Sequence, residues 1–133
     1  MLTELRRSIP NPGVVSWLTR IAEPRLFLSV ITLAEIQKGI ARLDAGPRKT
    51  GLQAWLDDDL QERFAGRILP LNEEASKQWG LLQGEAQRLG QSVPVVDSQL
   101  AATAIVANLC MVTRNIRDFE RFPVRLLNPW SAS

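Results

Sequence analysis

Three acidic residues from separate parts of the chain follow stretches that are typical of buried strands. Glu35 lies one turn into the predicted helix after "LFLS", Asp97 opens the predicted helix after "VPVV", and Asp118 follows "LCMVT" through "RNIR". Ligands of open α/β sheets bind outside the carboxyl ends of the strands, so we expect these carboxylates at one edge of a sheet. Oxygen ligands from several elements suit Mg²⁺ or Mn²⁺. The spacing therefore predicts a divalent-metal site.

Each acid also has a purely structural interpretation. Glu35 fits an ordinary exposed helix position, Asp97 fits an N-cap of the alanine-rich helix, and Asp118 fits the cap of a short turn. The coincidence of all three at one predicted edge favours the metal site. The run Asp57–Asp59, in contrast, is predicted to be a solvated helix face, because adjacent helical positions point in different directions.

The composition narrows the possible chemistry. The chain has no histidine, no tyrosine and one cysteine. Triads and dyads that use histidine, histidine general bases and the usual zinc sites are therefore excluded. Cys110 lies in the apolar run Leu109–Val112, and we expect it to be a buried structural thiol. Any catalysis must then rely on carboxylates, in combination with a hard metal ion.

Length and charge indicate a single cytoplasmic domain. A chain of 133 residues is long enough for one domain with its own core. The sequence contains no apolar run long enough to span a membrane and no visible secretory signal, so we expect a cytoplasmic protein without membrane contact. A net charge of +2 permits an acidic partner but does not argue for nucleic acid by itself.

Strands and helices alternate along the predicted chain. Asn11-Pro12 is typical of a helix start, and Ser29 or Thr32 and then Asn72 are candidate caps of later helices. A further helix is predicted over 48–64, and Gly90 is predicted to end the helix that Asn72 begins. The predicted strands lie in "RLFLSV", "GRILPL", "LCMVT" and "VRLLN". Such alternation predicts an α/β fold with a mostly parallel central sheet flanked by helices.

The alternation also fits a doubly wound small-molecule or phosphoacceptor domain. The eight glycines are scattered, however, and form no GxGxxG or Walker pattern. We expect one domain over 1–130 and a loose tail over 131–133.

Five stretches occur together in an order and spacing that resemble a known family: "PNPGVVSWL", "RLFLSVITLAEIQKGI", "VPVVDSQLAATAIVANL", "VTRNIRDFERF" and "LLNPW". The chain resembles a PIN-domain ribonuclease toxin of the VapC type. The resemblance implies an endoribonuclease that depends on Mg²⁺ or Mn²⁺ and is silenced by a cognate antitoxin. It also implies a homodimer or a dimer of toxin–antitoxin pairs.

The resemblance assigns roles to individual residues. Glu35 and Asp97 match acids of the family, and Asp118 is carried over as the third acid. Asn115 stands where the family often has aspartate, which implies a neutral metal ligand or a substrate contact. The residues implied, by analogy only, to attract RNA phosphate are Thr113, Arg114 and Arg117.

The start of the chain departs from the family pattern. "LTELRR" matches the family's first helix, so we expect the preceding apolar strand and its metal-binding aspartate to be missing. One explanation is a start codon assigned too far downstream. The alternative is a truncated, catalytically impaired PIN relic that binds antitoxin or RNA without cleavage.

Overall fold

Short strands alternate with longer helices through the part of the chain that the structure describes, residues 26–113 and 116–128 of a computed structural model. The predicted helix at Asn11-Pro12, the tail 131–133, and Arg114 and Asn115 lie outside these residues. The elements in chain order are β1 (Leu28–Ser29), α1 (Val30–Ala41), α2 (Pro47–Ala54), a π-helical turn (Trp55–Leu60), α3 (Gln61–Arg63), β2 (Ile68–Leu69), α4 (Glu73–Arg88), α5 (Val95–Val106), β3 (Met111–Val112), α6 (Ile116–Phe119) and β4 (Leu126–Leu127).

The described strands pair in parallel, as the alternation predicts. β1 pairs with β2, with Leu28 opposite Ile68. β3 pairs with β4, with Met111 opposite Leu126. Among the described residues the strands form two separate two-stranded pairs. Helical segments connect the two strands of each pair, which is the crossover arrangement that parallel strands require.

Two hydrophobic clusters hold these elements together. The first joins β1, α1, the π-helical turn and the residue that follows α3, and its buried members are Leu26, Leu28, Ile36, Ile40, Leu56, Leu60 and Phe64. The second lies around α4, α5 and α6, and its buried members are Leu82, Ala86, Val93, Leu100, Ala101, Ala102, Phe119 and Phe122. Glu35 lies on the helix that enters the first cluster, while Asp97 and Asp118 lie on helices of the second. The acidic residues are therefore positioned by two packed units.

The predicted helix ends are confirmed where a local signal exists. The Ser29 hydroxyl accepts a hydrogen bond from the Ile31 amide at 3.0 Å, and Ser29 is the N-cap of α1. Asn72 caps α4 by accepting from the Ala75 amide at 2.9 Å. Gly90 follows the end of α4 with φ of 72°, a left-handed conformation that favours glycine. These caps fix where the helices begin and end.

The helix predicted over 48–64 is present but is interrupted by the π-helical turn. Leu56 and Leu60 are buried there, whereas Asp57–Asp59 are all exposed. The prediction of a solvated acidic face is therefore confirmed.

Cys110 corrects one prediction. The residue is exposed rather than buried, because β3 begins only at Met111 and Cys110 lies in the connection before it. Partial burial nevertheless raises the pKa of the thiol, and nearby Arg125 opposes that shift. Across residues 26–113 and 116–128, no helix is both long and apolar enough to cross a membrane.

Candidate active site

Glu35 is the sixth residue of α1, whose start is fixed by the Ser29 cap. The side chain is half-buried, in contrast to the exposed position of the structural interpretation. Its neighbour Ile36 is buried in the first hydrophobic cluster and anchors this turn of the helix. The carboxylate of Glu35 is therefore carried by a well-packed turn.

Asp97 is the third residue of α5 and is half-buried. The interpretation of Asp97 as the N-cap is wrong, since Pro94 occupies the N-cap position. Helix α5 starts two residues earlier than the aspartate, which places the carboxylate inside the first turn. Negative charge in a first turn interacts favourably with the helix dipole.

Asp118 is the third residue of the one-turn helix α6 and is exposed. It lies within the helical turn rather than at the cap that the structural interpretation assigned to it. Arg117 precedes it on the same turn and is also exposed. This short helix therefore exposes an acidic and a basic side chain next to each other.

The three acids share one electrostatic environment. Burial raises the pKa of the Asp97 carboxyl, the negative charge of Asp118 raises it further, and the charge of Glu35 adds to the shift. Arg121 acts in the opposite direction. Since both Asp118 and Glu35 act on Asp97, α6 and α1 place carboxylates within electrostatic reach of the carboxylate on α5.

The chemistry of these donors suits a hard divalent cation, because carboxylate oxygens are its preferred ligands and a cation would relieve their repulsion. The spacing of the carboxylates, however, does not form a full set of ligands. Within the described ranges, no group of three or more acidic or cysteine residues is close enough together to hold one ion. The described acids are thus near enough to repel one another without forming a closed ligand sphere.

The other predicted site residues are only partly placed. Thr113 is buried at the end of β3, where its backbone amide donates to the Leu127 carbonyl at 3.0 Å. Arg114 and Asn115 lie outside the described residues. The predictions for Thr113, Arg117 and Asn115 as phosphate or metal contacts stay predictions.

Two features beside Asp97 were not predicted. The exposed Arg121 donates from Nη1 to the Ser92 carbonyl at 3.4 Å, which holds it over the loop that leads into α5. Gln83 of α4 donates from Nε2 to the Ser98 hydroxyl at 2.8 Å and to the Val93 carbonyl at 3.2 Å. Glutamine and serine carry no local sequence signal for such a contact, which joins residues 15 positions apart.

Known proteins share both the sequence pattern and the fold of this chain. The PIN domain family model matches residues 6–124. A VapC ribonuclease, Y4jK of Sinorhizobium fredii, is 32% identical over 98% of this chain and 93% of its own length. Toxin FitB of Neisseria gonorrhoeae is 34% identical over 98% of this chain and 94% of its own. A solved structure of FitAB bound to a DNA fragment superposes with a TM-score of 0.88 at 32% identity, covering 98% of this chain and 91% of that one. The chain belongs to the PIN-domain family.

Proposed function

We propose that this protein is the ribonuclease toxin of a toxin–antitoxin pair and hydrolyses RNA phosphodiester bonds with the help of Mg²⁺ or Mn²⁺. The observation that carries the proposal is that Asp118 and Glu35, each from a separate helix, both act on Asp97 and raise the pKa of its carboxyl. Repelling carboxylates at one place cost stability, and a bound cation is the chemical reason to keep them. The names of the relatives Y4jK, a ribonuclease, and FitB, a toxin, support the same conclusion.

In this proposal Asp97, Asp118 and Glu35 hold the ion. Asn115 is proposed as a neutral fourth contact. A bound divalent ion supplies a more acidic water and positive charge for the scissile phosphate. The chain itself must accept the proton of that water, and without histidine a carboxylate is the available base.

The proposed partners follow from the substrate and from the relatives. Exposed Arg117 and Arg121 lie on either side of Asp118 in the sequence and would attract the RNA backbone. Arg114 and Thr113 are proposed to help position a phosphate. We further propose a cognate antitoxin as the inhibitor, supported by the FitAB assembly. The proposed oligomer is a homodimer or a dimer of toxin–antitoxin pairs. The proposed place of action is the cytoplasm, where RNA is available.

Binding without cleavage is the second candidate. It is favoured by one observation, the lack of a closed ligand sphere among the described acids. A protein with this function would bind antitoxin or RNA through the same surface and leave RNA intact.

An RNA cleavage assay with the purified full chain separates the two candidates. We expect cleavage in Mg²⁺ or Mn²⁺, its loss in EDTA, and its loss in Asp97→Asn. Asp58→Asn, which removes an equally charged but exposed acid of the π-helical turn, should retain full activity. RNA or antitoxin binding without any metal-dependent cleavage would establish the binding function instead.

A further inference from the structure

We infer that Gln83 on α4 is a positioning residue for Asp97: its side-chain amide clamps the first turn of α5 and so directs the Asp97 carboxylate toward Asp118 and Glu35. The inference rests on the proposed function, because it assigns a role in the proposed metal site. It concerns a residue that touches neither metal nor RNA and acts through Ser98 and Val93.

The first turn of α5 needs such support because its cap is weak. The N-cap residue is Pro94, and no side chain among the described residues accepts a hydrogen bond from the turn's free amides. By comparison, Ser29 caps α1 and Asn72 caps α4 through their side chains. Uncapped first turns leave amides without partners and open more readily. Asp97 lies in this turn.

Hydrogen bonds from α4 brace this turn by a different route, through the Val93 carbonyl and the Ser98 hydroxyl rather than through the free amides. Gln83 Nε2 donates to the Ser98 hydroxyl at 2.8 Å and to the Val93 carbonyl at 3.2 Å. The Ser98 hydroxyl in turn lies 2.8 Å from the Val95 carbonyl and 3.2 Å from the Pro94 carbonyl, to which it donates. Ser98 is fully buried. The amide thus ties both sides of the helix start to α4.

The hydrogen bonds from Gln83 to Ser98 and Val93, here called the clamp, affect Asp97 in particular because Ser98 follows Asp97 directly in the sequence. Asp118 and Glu35 repel the half-buried Asp97 and Arg121 attracts it, and the net repulsion together with burial favours movement of this turn and its carboxylate toward water. A first turn that opens would let the carboxylate leave the site. Gln83 holds Val93 and Ser98 on either side of Asp97 and so prevents this opening of the turn, which keeps a repelled ligand in place.

The test compares Gln83→Met with Gln87→Met in the full-length protein. Methionine keeps the length of glutamine and removes the amide, and Gln87 is exposed one turn further along the same helix. Free Mn²⁺ is titrated by electron paramagnetic resonance, and hydrogen exchange is followed over residues 95–98. We expect Gln83→Met to weaken Mn²⁺ binding by about tenfold, the lower end of the range for residues that hold metal ligands in place. Exchange over 95–98 should accelerate, and Gln87→Met should match the wild type in both.

Ser98→Ala removes the hydroxyl that accepts the Gln83 hydrogen bond and so breaks the same network at its other end. It replaces Gln83→Met as the test variant if Gln83→Met does not fold. The double variant should bind Mn²⁺ no more weakly than the weaker single variant, because both changes break one path. Unchanged Mn²⁺ affinity in Gln83→Met or in Ser98→Ala, with lower thermal stability alone, would show a purely structural role and overturn the inference. Failure of the proposed function looks different: the wild type itself would bind no Mn²⁺, or Asp97→Asn would bind it equally well.

Discussion

Asp97→Asn should make the metal-free protein more stable at neutral pH. Burial, Asp118 and Glu35 raise the pKa of the Asp97 carboxyl above its value in the unfolded chain. For a carboxyl shifted in this direction, the stability contribution is fully present below the unfolded pKa and is lost as the pH rises through the folded pKa. Asparagine carries no charge to repel, so the advantage of the variant should appear at neutral pH and vanish in acid.

The size of the gain is a balance between two sets of effects. The variant relieves charge repulsion and the burial of a charge, and it loses the attraction of Arg121 and of the helix dipole. Interactions between partly exposed charges are worth about 0.2–1 kcal/mol each, and Asp97 has two repulsive neighbours against one attractive arginine. Loss of the helix-dipole interaction in the first turn costs about 0.3–1 kcal/mol. With the burial of the charge added, we expect a net gain of about 0.5 kcal/mol, or roughly 2 °C in Tm.

Glu74→Gln is the matched control. Glu74 also lies in the first turn of a long helix, α4, but it is exposed. Its replacement removes the helix-dipole interaction of a solvent-exposed carboxylate and relieves no burial of charge, so stability should fall by about 0.3–1 kcal/mol. Urea unfolding in EDTA, at neutral and at acidic pH, measures both variants against the wild type.

Metal should reverse the order of stability. A ligand that binds only the native state at ten times its Kd adds about 1.4 kcal/mol. Mg²⁺ or Mn²⁺ should therefore stabilise the wild type above Asp97→Asn and leave the variant unchanged. The reasoning is refuted if Asp97→Asn loses as much stability as Glu74→Gln in EDTA, since the repulsion would then be absent.

Three further predictions address the fold and the RNA surface. Phe64→Ala, at a fully buried position of the first cluster, should lower the free energy of unfolding by about 3–5 kcal/mol in urea titrations, and a loss below about 1 kcal/mol would contradict the described core. Asn72→Ala should cost about 1 kcal/mol by loss of the α4 cap, whereas Asn72→Ser should retain most of that stability. RNA binding by the inactive Asp97→Asn protein should weaken with salt, and Arg117→Ala should reduce the slope of log K against log salt by about 1; an unchanged slope would remove Arg117 from the RNA surface.

The elements with local signals were predictable from the sequence. The caps Ser29 and Asn72 and the stop at Gly90 each depend on a side chain or backbone preference within a few residues. The parallel pairing followed from the alternation of strands with helices. The placement of Glu35 and Asp97 on separate helices followed from the same reasoning, whereas Asp118, predicted in a turn, lies on the one-turn helix α6.

The features that depend on tertiary contacts were not predictable. Asp97 looked like a cap, but α5 begins at Val95 without a capping side chain, and its Ser98 accepts a hydrogen bond from Gln83 of α4, a contact between distant parts of the sequence. Cys110 stands in an apolar run, yet only two residues of that run form the strand. The position of Arg121 near Asp97 depends on its reach to the Ser92 carbonyl, across 29 positions of sequence.

The central claim is that Asp97, Asp118 and Glu35 hold one catalytic metal site. The most direct test is a crystal of the full chain grown in Mn²⁺ and measured at the manganese absorption edge. The account predicts an anomalous peak within coordination distance of the Asp97 and Asp118 carboxylates, with Glu35 facing it, and no such peak in Asp97→Asn. A peak elsewhere, for example at the exposed Asp57–Asp59 run, or none in the wild type, would contradict it.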